Sequence, residues 1–216
     1  MAPTKALAKM TEIAPGVHWL RTRAANVYFV QSGSAWVLID TGLRSSAPAI
    51  REAAKVLFGP DSRPQAILLT HPHGDHVGAA AELARAWDVP VHAHDLPSGD
   101  TLVPGLADWE CIPTPGHSRG HVVYFRGSDR VLIAGDAVMT APLWGLLLKV
   151  QRISPPIRLA SWDWQGVKDS VAKLAALEPA VLACGHGIPM TGTGVAEELR
   201  AFSDRFSRSS KPAGRG

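Results

Sequence analysis

The sequence has little of what marks secreted or membrane-spanning proteins. Only two of its 216 residues are cysteine, Cys111 and Cys184, so the disulfide framework of small secreted domains is not expected. Residues 1–10 lack the continuous apolar core of an export signal. The apolar run 143–150 is too short to span a bilayer. We therefore expect a cytoplasmic protein without a membrane partner.

Positively and negatively charged residues nearly balance, with 22 Lys and Arg against 19 Asp and Glu. The formal net charge is +3, and part of it lies in residues 207–216, whose composition predicts a disordered basic tail. Such a small excess gives no reason to expect nucleic-acid binding. A homodimer stays open as the assembly.

Length and apolar content indicate one folded unit. Hydrophobic residues make up 46% of the chain, and 216 residues is within the usual range of a single α/β domain. Neither an internal repeat nor a linker is evident. We predict a flexible N-terminus over 1–10, a single domain over 11–206 and the tail from 207.

The apolar pattern predicts strands first and alternating strands and helices afterwards. Consecutive strands are predicted over 17–20, 26–30 and 35–40. Helices are predicted from Pro48 to Gly59 and over 77–87, 164–177 and 195–206. This order fits two sheets packed face to face with helices outside, although the pattern alone does not exclude other α/β folds.

One short segment is rich in metal-ligating side chains, and it follows an apolar run that predicts a buried strand. Its sequence is His71-Pro72-His73-Gly74-Asp75-His76. Alternate side chains of an extended chain point the same way, so His71 and His73 can bind one ion. Gly74 lets the backbone turn and present Asp75 and His76 to a second ion. Alone, Asp75 would fit a helix N-cap, but the four together indicate a metal site.

Three further candidates stand beside glycine at the ends of later strand-like runs. They are His117, Asp136 and His186. Two ions that share a bridging group need about three ligands more than the first segment supplies. The ends of strands are suitable places for them, because a rigid sheet can orient the side chains.

The ordered set of seven residues resembles the metallo-β-lactamase superfamily from about Thr11 to Phe206. The match includes Thr70 before the first segment and the Gly-Asp and Gly-His-Gly settings of the last two ligands. The resemblance implies an α/β fold, the four-layer αβ/βα sandwich, with metals at one edge between the sheets. Asp40-Thr41-Gly42 is similar to a turn that the family has near that edge. We expect Asp40 to organise this loop through hydrogen bonds.

The resemblance also implies a division of the ligands. His71, His73 and His117 would bind one metal, and Asp75, His76 and His186 the other. Asp136 would bridge them, because each carboxylate oxygen can serve one ion. The expected cofactors are two divalent ions, with zinc favoured and iron, manganese or cobalt also compatible with histidine and aspartate ligands.

The expected activity is that of a binuclear hydrolase. A metal-bound hydroxide would attack the carbonyl of an ester, thioester or lactone, and the catalytic carboxylates Asp75 and Asp136 would help to pass the proton to the leaving group. The alternative is an iron-dependent oxidoreductase or persulfide dioxygenase-like enzyme on the same ligands. A weakly active β-lactamase is less favoured.

Comparison with subgroups points to a general branch, similar to glyoxalase II and to lactonases. Met139 stands where many lactonases have a tyrosine, and 185–189 is unlike the last-histidine motif of glyoxalase II. The run 143–150 suits one wall of an apolar substrate pocket, or else a core helix or a dimer contact.

We expect supporting or structural roles for several other residues. We expect a surface or helix-start position for His92 and His94, a supporting hydrogen bond or a strand position for His121, and an inert buried thiol for Cys184. Asp163 is predicted to cap a helix.

Overall fold

Two β-sheets form the interior of the protein. The structure is a computed structural model that describes residues 10–93, 103–141 and 151–209. The first sheet contains β1 (Met10–Ala14), β2 (Val17–Arg21), β3 (Asn26–Ser32), β4 (Ala35–Ile39), β5 (Ile67–Leu69) and β6 (Val91–Ala93), in that order. Strands β1 to β4 form an antiparallel meander, whereas β4, β5 and β6 are parallel. Gly33 makes the tight β3–β4 turn at φ 61°, which side chains with a Cβ rarely adopt.

The second sheet has five strands. They are β7 (Glu110–Pro113), β8 (Val122–Arg126), β9 (Val131–Gly135), β10 (Val181–Cys184) and β11 (Met190–Thr191), in the order β11-β10-β9-β8-β7. Only β9 and β10 are a parallel pair. Strands β7, β9 and β10 therefore all point the same way, and their carboxyl ends meet at one edge.

Five α-helices accompany the sheets among the described residues. They are α1 (Ala47–Phe58), α2 (Gly74–Val77), α3 (Ala80–Trp87), α4 (Trp164–Ala176) and α5 (Val195–Arg208). Helix α4 begins where predicted, with Asp163 accepting a 3.0 Å hydrogen bond from the Gln165 backbone N–H. No helix among these residues has both the length and the apolar character needed to cross a membrane.

Both faces of each sheet are buried, and this explains the nearly continuous apolar runs of the sequence. On β9, Val131 and Ile133 face the other sheet, whereas Leu132 and Ala134 pack with α4 and α5. On β4, Val37 and Ile39 likewise face inward, and alternate residues pack with α1 and α3. The predicted four-layer αβ/βα sandwich is thus confirmed.

Several predicted boundaries need correction. The helix predicted over 77–87 is two helices, and Asp75 lies inside the first of them, whose N-cap is His73. Met10 already belongs to a strand, and α5 ends at Arg208, within the predicted tail. His92 is a strand residue and starts no helix, because β6 pairs with β5 at this position. His94 and the run 143–150 lie outside the described residues.

The inter-sheet core should account for much of the stability. Ile133 is fully buried between the sheets, so Ile133→Ala should lower the free energy of unfolding by about 2–5 kcal/mol through lost burial and a cavity. Val56→Ala, at a position on α1 that is 44% exposed, should change it by less than about 0.5 kcal/mol. Urea denaturation of both variants measures the difference. Equal effects would contradict the assignment of Ile133 to the core.

Candidate metal centre

The candidate ligands lie at the shared edge of the two sheets. His71 follows β5, Asp136 follows β9, and His186 follows β10 by two residues. His117 lies in the loop that connects β7 to β8. Because these strands end at one edge, residues far apart in sequence come within contact distance.

All seven predicted site residues converge. Three groups have ligand atoms mutually within 4.8 Å: His71 with His73 and His117, His71 with His76 and Asp136, and Asp75 with His76 and His186. The His117 Nε2 lies 2.9 Å from the His73 Nδ1. The middle group shares its histidines with the two others, so the three form one continuous cluster.

Asp136 occupies the centre of this cluster. Its Oδ2 lies 3.2 Å from the His186 Nε2 and 3.6 Å from the His117 Nε2, while its Oδ1 lies 3.5 Å from the His76 Nε2. Oδ2 therefore faces both His186 and His117, and Oδ1 faces His76. Asp75 lies at the opposite end, with its Oδ2 3.3 Å from the His186 Nε2.

Hydrogen bonds to Nδ1 fix the tautomer of His76 and His71. The Asp40 carboxylate can only accept, so the His76 Nδ1–H donates to its Oδ2 at 2.7 Å. The Thr70 hydroxyl donates to the same oxygen at 2.8 Å and therefore accepts the 3.0 Å bond from the His71 Nδ1–H. The hydrogen-bonding role predicted for Asp40 is thus found, but its carboxylate organises the ligand segment from Thr70 to His76 and not its own turn.

His186 and His117 are anchored in the same way. The carbonyl oxygen of Ala24 accepts a 3.1 Å bond from the His186 Nδ1–H. The Ser161 hydroxyl donates to the Ile157 carbonyl and so accepts the 3.1 Å bond from the His117 Nδ1–H. In all four histidines the Nε2 is directed toward the cluster, which is the orientation that metal-binding histidines require.

Three buried polar atoms at the centre support a cation there. The Nε2 atoms of His71 and His76 and the Oδ1 of Asp136 make no hydrogen bond within the described part of the chain. A buried polar atom without a partner costs free energy, typically ~1–3 kcal/mol. Two imidazole nitrogens and a carboxylate oxygen are a donor set that suits a divalent transition metal. The residues present therefore fit a metal ion.

The charge states agree with that fit. Burial lowers the pKa of His117 to about 4, despite the opposing charge of Asp136, and the pKa of His71 is lowered further for the same reason. Burial raises the pKa of Asp136, but the surrounding histidines outweigh it and hold that pKa well below its usual range. The centre thus combines an ionised carboxylate with neutral imidazoles at His71 and His117, the forms that bind metals. Burial also lowers the pKa of His76, but the charges of Asp136 and Asp40 prevail and raise it.

The pKa of His186 shifts in the opposite direction from those of His71 and His117. Burial lowers its pKa, but hydrogen bonds and charges of Asp136 and Asp75 prevail and raise it to about 10. Its Nε2 therefore carries a proton between two carboxylates when no metal is bound. A cation at this position would replace that proton.

His121 positions the backbone of Asp136. Its Nε2 accepts a 3.1 Å hydrogen bond from the Asp136 N–H, so its Nδ1–H donates to the Thr114 Oγ1 at 2.8 Å. Burial lowers its pKa to about 3, which keeps the ring neutral and able to accept. Of the two roles left open by the sequence, the supporting hydrogen bond is confirmed.

Other supporting residues could not be found from the sequence. The Asn26 Nδ2 donates to the carbonyls of Cys184 and Gly187 at 2.9 and 2.7 Å, and the Tyr28 hydroxyl also donates to Cys184 at 2.6 Å. These bonds hold the turn that carries His186, yet they cross from one sheet to the other over more than 150 positions. Cys184 itself is a buried free thiol, as predicted.

Close packing at Gly185 offers a test of the cluster that removes no ligand. A Cβ there would lie 2.2 Å from the Asp136 Oδ1 and 2.6 Å from the His76 Cε1, so Gly185→Ala must displace both. We expect Gly185→Ala to lower metal affinity by at least about 10-fold. At Gly127 the nearest atom to an added Cβ is 3.8 Å away, so Gly127→Ala is the matched control.

Elemental analysis after dialysis against graded chelator measures the affinity, and circular dichroism checks the fold of each variant. Equal metal retention by the two folded variants would contradict the packing of Gly185 against the ligands.

Comparison with known proteins agrees with this geometry. A model of the metallo-beta-lactamase superfamily matches residues 20–99 and 94–186. The "Probable metallo-hydrolase YflN" of Bacillus subtilis (strain 168) is 37% identical to the chain, over 91% of this chain and 93% of that protein. A hydroxyacylglutathione hydrolase of Xanthomonas oryzae pv. oryzae (strain MAFF 311018) is 28% identical, over 82% of this chain and 66% of that protein.

Among solved structures, TTHA1623 in a di-iron-bound form is 27% identical with a TM-score of 0.61, over 79% of this chain and 92% of that one. The family match, the alignment with YflN over most of both chains and the fold all agree with the resemblance carried by the five histidines and two aspartates. The chain belongs to the metallo-β-lactamase superfamily.

Proposed function

We propose that this metal-dependent hydrolase holds two divalent ions in a binuclear centre and cleaves an ester, thioester or lactone. The observation that carries the proposal is the position of the Asp136 carboxylate between the two histidine groups, with its Oδ2 near both His117 and His186 and its Oδ1 near His76. A single-ion site would need only one of these groups. The shared carboxylate favours two ions close together.

The proposed ligands follow the three groups of atoms. His71, His73 and His117 would hold one ion. Asp75, His76 and His186 would hold the other. Asp136 would bridge the two, because its carboxylate lies between His117 of the first set and His76 and His186 of the second.

A bound pair of divalent ions supplies a water of lowered pKa, near 7, and polarises a carbonyl oxygen. The protein supplies the ordering of the site and the path for the proton. Asp136 is enclosed, with only 8% of its side chain exposed, whereas the Asp75 side chain is 32% exposed. Hydrogen bonding to His186 lowers the pKa of Asp75 and keeps it ionised. We therefore assign the transfer of the proton to the leaving group to Asp75 and the bridging role to Asp136.

The relatives support the reaction class. YflN is named as a probable metallo-hydrolase, and its alignment spans nearly all of both chains. The Xanthomonas protein is named for the hydrolysis of hydroxyacylglutathione, which keeps thioesters among the proposed substrates. The chain spans only 66% of that relative's length, so glutathione itself is not part of the proposal.

Loss of the bridging carboxylate should separate the two halves of the centre. We expect Asp136→Ala to lower hydrolysis by at least about 100-fold and to retain one ion or none. Asp204→Ala, at an exposed position on α5, is the control and should retain two ions and full activity. Activity assays and elemental analysis of the same preparations test both. Full turnover with two ions in Asp136→Ala would overturn the assignment.

Zinc is the metal that we propose. The di-iron form of TTHA1623 makes iron the principal competitor and keeps the redox alternative in view. A zinc hydrolase should be colourless and should cleave members of a panel of chromogenic esters, thioesters, lactones and a cephalosporin. A protein purified with about two irons per chain, absorbing visible light and inactive on the whole panel, would favour the oxidoreductase instead.

A further inference from the structure

A cavity opens beside one half of the metal centre. Its volume is about 450 Å³, and its lining includes His73 and His117. This volume lies within the range of small-molecule sites. Because two proposed ligands line it, a molecule in this cavity would lie next to the ions.

The outer wall of the cavity is unusually apolar for a solvent-exposed surface. Leu159 is 100% exposed and Trp162 is 63% exposed, and both line the cavity. Two large exposed apolar side chains so close together are costly in water and often mark a binding surface. Here they are continuous with the metal centre, which favours a substrate chain as the occupant over a protein partner.

Arg119 adds a positive charge to the same wall. Its guanidinium lies over the Trp162 ring at 4.3 Å from the ring centroid. Within the described ranges no carboxylate lies at ion-pair distance from it, unlike Arg126, which pairs with Asp129. Stacking on an indole uses the face of the guanidinium and leaves its N–H edge free to bind a carboxylate.

The wall is fixed to the ligand loop by hydrogen bonds. The backbone N–H of Trp162 donates to the His117 carbonyl at 3.3 Å, and the backbone N–H of Asp163 donates to the Gly116 carbonyl at 2.9 Å. The Ser161 hydroxyl in turn orients the His117 ring. The backbone of Trp162 is therefore fixed relative to the ligand His117, which places its side chain beside the metal centre.

We propose that this wall selects substrates whose acyl chain ends in an anionic group. The chain would lie on Leu159 and Trp162, with the terminal carboxylate bound to Arg119 and the carbonyl directed toward His73 and His117. This assignment rests on the proposed hydrolase function, and its test includes a measurement that needs no turnover.

The first measurement is binding. The protein is labelled with 5-fluorotryptophan, and the ¹⁹F resonance of Trp162 is assigned by its absence from Trp162→Phe. The uncleaved amides adipic acid monoanilide and hexananilide, which have equal chain lengths, are then titrated. We expect the Trp162 resonance to shift with both ligands and the charged one to bind at least about 10-fold more tightly. Absence of a shift would overturn the proposal.

The second measurement compares variants. Arg119→Gln should reduce the binding preference for the charged ligand by about 10-fold, and Leu159→Ser should weaken both ligands by a similar factor. Arg51→Gln and Val56→Ser, at exposed positions on α1, are the matched controls and should change neither. An unchanged preference in Arg119→Gln would remove the role of Arg119 and with it the proposal.

Kinetics then separates this proposal from the proposed function. With the 4-nitrophenyl esters of the same two acids, Arg119→Gln should lower the ratio of their kcat/KM values by about 10-fold, mainly through KM, while two ions stay bound. Selective binding without turnover of these esters or of any ester, thioester or lactone of the chromogenic panel would overturn the proposed hydrolase and leave the binding wall standing. Turnover of both esters without charge selectivity would support the proposed hydrolase and overturn the proposed selection by the wall.

Discussion

The metal centre depends on one repeated interaction, the anchoring of imidazoles through Nδ1. His76 is held by Asp40, His186 by the Ala24 carbonyl, and His117 by the Ser161 hydroxyl. An imidazole has one N–H in its neutral form, so a partner that accepts at Nδ1 leaves a lone pair at Nε2. Free rings would lose rotational freedom on binding a metal, whereas these rings are already oriented. Burial lowers the pKa of His71 and of His117 and keeps both rings neutral, and the same burial makes the converging nitrogens costly without a cation.

The anchors and ligands come from both sheets, so the centre exists only when the sandwich is closed. Asn26 and Tyr28 on β3 of the first sheet bind the carbonyl at the end of β10 in the second. A bound ion would therefore stabilise the packing of the two sheets as well as support catalysis. The glycine before His186 belongs to the same constraint, since any side chain there would occupy the space of Asp136 and His76.

The loop that carries Ser161 and Trp162 links ligation to selectivity. One of its residues orients His117, and its neighbour forms the apolar wall of the adjacent cavity. A displacement of this loop would therefore be transmitted to His117 through the hydrogen bonds of Ser161 and Trp162. Relatives with different residues at these positions could have different substrates while the ligands stay the same, which fits a fold that supports many functions.

The sequence by itself determined the candidate ligands, because histidine and aspartate clustered after one strand, or beside glycine at the ends of others, are a local pattern that can be read without coordinates. It also predicted most strands and helices, since apolar periodicity is local. Tertiary structure alone decided the anchors and the wall: Ala24, Ser161 and Trp162 are ordinary residues in an uninformative setting, and only the folding of the chain makes them neighbours of His186 and His117. Contacts between residues so distant along the chain depend on the whole fold, and no local pattern encodes them.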